Sequence, residues 1–87
     1  MTKIYIYCLF DQTGLFHGVY SSLKAVHRDA LKIANRGNMP VQMETADRIT
    51  TATLTGLRNA FKGHCDVTIR YRGGVYYADI TKTKLKE

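Results

Sequence analysis

The chain has 87 residues, enough for one domain that buries roughly 60–65% of the surface of its unfolded form. Thirteen Lys and Arg against seven Asp and Glu leave a formal net charge of +6, which draws in anionic partners and excludes a mimic of nucleic acid. The longest apolar run, Ile4 to Phe10, falls far short of the ~20 residues of a membrane-spanning helix and lacks signal-peptide flanks, so a cytoplasmic protein without membrane contact is expected.

Residues 3–10, K-I-Y-I-Y-C-L-F, read as a strand from their β-branched and aromatic content. Ile4, Ile6, Cys8 and Phe10 fall on one face, with Cys8 expected inward, and Tyr5, Tyr7 and Leu9 fall on the other. Both faces are apolar, which suits a central strand covered by a neighbouring element or by a second copy in a homodimer. Asp11–Gly14 (D-Q-T-G) is a turn sequence, and Leu15–Tyr20 returns as a second strand.

The segment Ser21–Arg36 is the strongest helical pattern. Leu23, Val26, Ala30, Ile33 and Ala34 gather on one face, Ser21 or Ser22 supplies the N-cap, and Gly37 is expected to end the helix in a left-handed conformation. Lys24, Arg28, Lys32 and Arg36 climb the opposite side at i, i+4 spacing. Each such pair of like charges disfavours an isolated helix by roughly 0.2–0.5 kcal/mol, and only Asp29 is near enough to offset part of it. A solvated basic face and a surface for an anionic partner both fit this row. His27, at the edge of the apolar face, reads as a half-buried structural histidine.

Val41–Glu44 suggests a short third strand with Val41 and Met43 inward. A second helix is expected from about Thr51 to Lys62, capped by Thr50, with Ile49 and Leu54 as a hydrophobic staple. The chain closes with a hairpin, Asp66–Arg72 and Val75–Lys82, joined by Gly73-Gly74. That loop would set Tyr71 opposite Tyr76, Ile69 opposite Ala78 and Arg70 opposite Tyr77, placing arginines beside a tyrosine on the outer face. Lys82, Lys84 and Lys86 would lie in a frayed basic tail at about 82–87. The fold class is therefore α+β, a single small domain of order ββαβαββ with an antiparallel sheet and two helices.

Cys8 and Cys65 stand far apart without a C-x-x-C pair, so two free thiols are expected and no zinc site has a ligand set. No glycine-rich loop precedes a helix, and no cofactor is expected. The adjacent His64, Cys65 and Asp66 would allow a small Cys/His hydrolase, although neighbouring residues on a strand point to opposite faces. The informative surface is the basic one: Lys24, Arg28, Lys32, Arg36, Arg70, Arg72 and Tyr77 suit phosphates and stacked bases of RNA or another nucleic acid. A protein-only inhibitor that sets the same charges on an acidic patch is the alternative.

One resemblance bears on this choice. The opening strand, the D-Q-T-G turn, the return L-F-H-G-V-Y and the helix entry S-S-L-K-A resemble small bacteriophage early proteins over residues 3–36. That resemblance implies a non-catalytic host-takeover or counter-defence protein that acts in the host cytoplasm. It would bind and block a host factor such as a nuclease, toxin or polymerase.

Overall fold

The computed structural model describes residues 4–85. Its elements are β1 (Tyr5–Asp11), β2 (Phe16–Tyr20), α1 (Leu23–Ala34), β3 (Gln42–Glu44), β4 (Ile49–Thr51), α2 (Leu54–Phe61), β5 (Val67–Gly73) and β6 (Tyr76–Lys84). The six strands form one sheet in the order β2-β1-β6-β5-β3-β4, with every neighbouring pair antiparallel. The α+β class, the antiparallel sheet and the two helices are those expected from the sequence, with one strand more. β4 occupies the stretch assigned to the start of the second helix. Ile49, Thr50 and Thr51 are all β-branched and pair with Glu44, Met43 and Gln42, so strand propensity and a partner edge act together there.

Helix α2 accordingly starts later, with Thr53 as its cap accepting a hydrogen bond from the Gly56 amide at 2.9 Å. Ile49 is exposed and forms no staple with Leu54. Helix α1 follows its sequence pattern closely. Ser22 Oγ accepts from the Ala25 amide, and Val26, Ala30, Ile33 and Ala34 are buried against the sheet. Its end differs from expectation: Asn35 is the C-cap, and the left-handed residue is Asn38 rather than Gly37.

Both helices cover the same face of the sheet. Leu9, Ile80 and Ile69 lie side by side across β1, β6 and β5, and the next row runs Ala78, Tyr71, Met43. On β1 the inward face is thus that of Tyr7 and Leu9, while Cys8 and Phe10 face the uncovered side and are half-buried. The expectation that Cys8 points inward is corrected. β1 has two apolar faces, and only packing against α1 and α2 chooses between them.

The β5–β6 register is also shifted by two residues. Gly73 pairs with Tyr76, so the loop is Gly74-Val75, and only Gly74 has a positive φ, as a type II′ turn requires. Tyr71 then faces Ala78, Ile69 faces Ile80, Arg70 faces Asp79 and Arg72 faces Tyr77. Gly73 is drawn into the strand because it passes directly beneath the end of α1, where a Cβ would overlap the Ala34 carbonyl oxygen. A slip of two residues keeps every side chain on its expected face, so the core pattern survives it.

Lys82 is not part of a frayed tail. It is buried in β6, where Nζ donates to the Phe61 carbonyl at 2.9 Å and lies 4.5 Å from the centre of the Tyr5 ring. Strand pairing continues to Lys84 opposite Tyr5, and residues 86–87 lie outside the described part.

Candidate nucleic-acid interface

The seven basic and aromatic residues singled out in the sequence occupy two surfaces that face opposite ways. Lys24, Arg28 and Lys32 are exposed on the side of α1 turned away from the sheet, whereas Arg36, expected to continue the row, lies beyond the Asn35 cap in the turn after the helix, because α1 ends at Ala34. Arg70, Arg72 and Tyr77 lie on the uncovered face of the sheet, behind the core.

On the sheet face the arginines are already engaged. Arg70 makes two hydrogen bonds to Asp79, from Nε at 2.8 Å and from Nη2 at 3.1 Å, and Arg72 Nε donates to Glu44 at 3.0 Å. Both guanidinium groups lie over the Tyr77 ring, at 3.8 Å and 5.0 Å from its centroid. The carboxylate of Asp79 holds the Arg70 guanidinium more firmly protonated than usual. Two cations and two anions in one ladder cancel, so this face offers little net attraction to a phosphate.

The helix face keeps its charge. No acidic residue lies in the first turn of α1, and the one nearby carboxylate, Asp29, is shared. It accepts a hydrogen bond from the Tyr20 hydroxyl at 2.6 Å and pairs with Arg28 Nε at 3.1 Å; these two contacts, Tyr20 foremost, pull its carboxyl below the usual range. The Arg28 side chain remains mostly exposed, so the pair is weak and easily exchanged for another anion.

Beside this row lies an open groove of about 670 Å³ between α1 and the start of α2. Lys24, Arg28 and Lys32 line it with Ser22 and His27, and Ala25, Leu31 and Leu54 provide apolar surface. Arg36 stands beyond its lining residues. A second hollow, of about 690 Å³ between the β3–β4 hairpin and α2, is lined by threonines, Asn59 and His64, with Asp47 opposing Arg48 in charge.

His27 belongs to the groove although its position in the sequence suggests a purely structural role. Its Nδ1 lies 2.6 Å from the hydroxyl of Tyr71, a residue with no exposed surface, and the two rings meet edge to face. Burial lowers the His27 pKa and raises that of Tyr71, so the ring is neutral and the phenol protonated near pH 7. The one sequence signal for this pairing is that His27 sits one position from Val26 at the margin of the packing face. The partner, 44 residues away, could not be read.

His64 and Cys65 are exposed in the segment between α2 and β5, and Cys8 is a free thiol on the sheet face. Among the described residues no group of three His, Cys, Asp or Glu is placed to hold a metal ion. No helix among them is long and apolar enough to cross a membrane. No protein family, no curated protein and no solved structure matches this chain.

Proposed function

We propose that this is a small, basic, non-catalytic binding protein whose α1 face engages the phosphates of RNA. One observation carries the reading: Lys24, Arg28 and Lys32 line a single groove with no carboxylate among its lining residues, while Arg70 and Arg72 are neutralised on the opposite side. A row of like charges destabilises its own helix, and an anionic partner is what offsets it. A host factor that carries RNA, such as a nuclease or a ribonucleoprotein, would be reached through the same face, in keeping with the likeness to phage early proteins.

The test is the salt dependence of binding. Each phosphate neutralised on a single strand releases about 0.7 counterion, so contacts from Lys24, Arg28, Lys32 and Arg36 give a slope of log K against log salt of about −3. Replacing Lys24, Arg28 and Lys32 together by Gln should flatten that slope by about two units. A folded triple variant with the parental slope would remove α1 from the interface. If the parent binds no RNA at low salt, the reading falls, and the charge must instead serve an acidic protein surface.

A further inference from the structure

The groove on α1 contains more than a phosphate surface needs. A track for duplex backbone requires cations and little else, yet this groove has half-buried Leu31 and Leu54 between its basic residues. It also has a histidine held in one tautomer. The Tyr71 hydroxyl has His27 Nδ1 as its hydrogen-bond partner, and Tyr71 is fully buried. If Nδ1 carried the proton and donated it, the phenolic hydrogen would be left buried without an acceptor, so the hydroxyl donates and Nδ1 accepts. The neutral ring then carries its proton on Nε2. Among the described residues, Gln12 Oε1 is the buried side-chain polar atom that lacks a partner. Among those residues His27 Nε2 has no hydrogen-bond partner and is not one of the buried unpartnered atoms, so its N–H keeps access to solvent, and His27 lines the groove.

We infer that the groove is a subsite for one unpaired nucleotide of a single-stranded RNA. The base rests on Leu31 and Leu54, the phosphate is held by Lys24, Arg28 and Lys32, and His27 donates its Nε2–H to the same nucleotide. This rests on the reading of α1 as an RNA-binding face and adds to it a choice of strand state. In a duplex the bases are stacked and paired, so only the backbone could enter and the apolar surface would stay wet. An unpaired base covers it, and removing that apolar leucine surface from water corresponds to a preference of about tenfold.

The experiment compares a short single-stranded RNA with the duplex it forms with its complement, at one salt concentration, by fluorescence anisotropy and by NMR of the intact protein. The single strand should bind about tenfold tighter, shifting the methyl signals of Leu31 and Leu54 and the Nε2–H of His27, which the duplex leaves in place. His27→Phe and, on the other helix, Leu54→Gln should each remove most of that preference while changing duplex affinity by less than about twofold. A general loss of fold would weaken both ligands equally, so the ratio isolates the subsite even if one variant is less stable. Equal affinity for the two RNAs, or an unchanged ratio in both variants, overturns the subsite and leaves the phosphate surface standing. Absence of binding to either RNA at low salt overturns both.

Discussion

Lys82 shows how a single charge can be buried without remaining unpaired. Its stem fills space on the inner face of β6 next to Tyr7, and its ammonium group meets the Phe61 carbonyl, where the negative end of α2 is exposed. The Tyr5 ring closes the other side. Lys82→Ala removes a charge-assisted hydrogen bond and leaves the last turn of α2 less well satisfied, so urea denaturation should register a loss of about 2–3 kcal/mol. Lys82→Met, which retains the stem, should lose less. Equal loss for both would mean that the stem contributes nothing. Among the described residues, Asp11 is the other buried side chain of the charged type. One of its oxygens accepts from the Thr13 hydroxyl at 2.6 Å, the Thr13 amide at 2.9 Å and the Leu15 amide at 3.2 Å, and the other lies 2.9 Å from His17 Nε2. The Thr13 hydroxyl and His17, in that order, drive its pKa far below the usual carboxylate range. Because the folded pKa is depressed, the stability it supplies is present above the unfolded value of about 4 and is lost as pH falls below it. Asp11→Asn should therefore lower the Tm clearly at about pH 6, and the gap from the parent should narrow at about pH 3. A gap that does not depend on pH would show that the charge of Asp11 is irrelevant to the β1–β2 turn.

Among the elements, α1 and the β5–β6 hairpin depend on one another at a single backbone contact. Gly73 lies beneath the Ala34 carbonyl at the end of α1, and any side chain there must push the helix off the sheet or the strand out of register. Gly73→Ala should cost about 3 kcal/mol or more, because the clash is with backbone that cannot swing aside. Gly74→Ala, at a turn residue with φ of 65°, meets only the flexible Met39 side chain and should cost about 1–2 kcal/mol for its left-handed conformation. Thermal melts of the two variants separate the causes, and the reverse ranking would show that turn geometry, not helix packing, sets the register. The same contact accounts for the hairpin loop being Gly74-Val75. A diglycine is the stronger local turn signal, but the first glycine is needed where strand and helix touch.

On the scale of the whole molecule the charge is sorted by face. The sheet's uncovered side carries Arg70, Arg72, Asp79 and Glu44 in compensating pairs around Tyr77, and the helix side carries the unbalanced row. Replacing Arg70 and Arg72 together by Gln should lower stability by about 1–2 kcal/mol, since each leaves a half-buried carboxylate without its partner. If α1 is the RNA-binding face, the salt slope of binding should not change in that double variant, because neither arginine would release a counterion. A flattened slope in that double variant would return the sheet face to the interface.

The amino-acid sequence alone determined the class of the fold, because the period of its apolar residues is a local property: 3.6 in α1 and two in β5 and β6. It determined a serine cap at Ser21 or Ser22, of which the structure uses Ser22, the basic positions Lys24, Arg28 and Lys32, and a two-residue turn near Gly73 for the same reason. It did not determine which face of β1 is buried, since Ile6, Cys8 and Phe10 are as apolar as Tyr5, Tyr7 and Leu9. The short β4 was written in three β-branched residues, but a strand that short exists only because β3 offers it a partner edge. Whether Arg70 and Arg72 are free or neutralised depended on a register that the end of α1 sets from far along the chain. The same holds for His27, whose role follows from a hydroxyl 44 residues away. Those decisions belong to the tertiary structure, because each rests on a contact between segments that carry no information about one another until they meet.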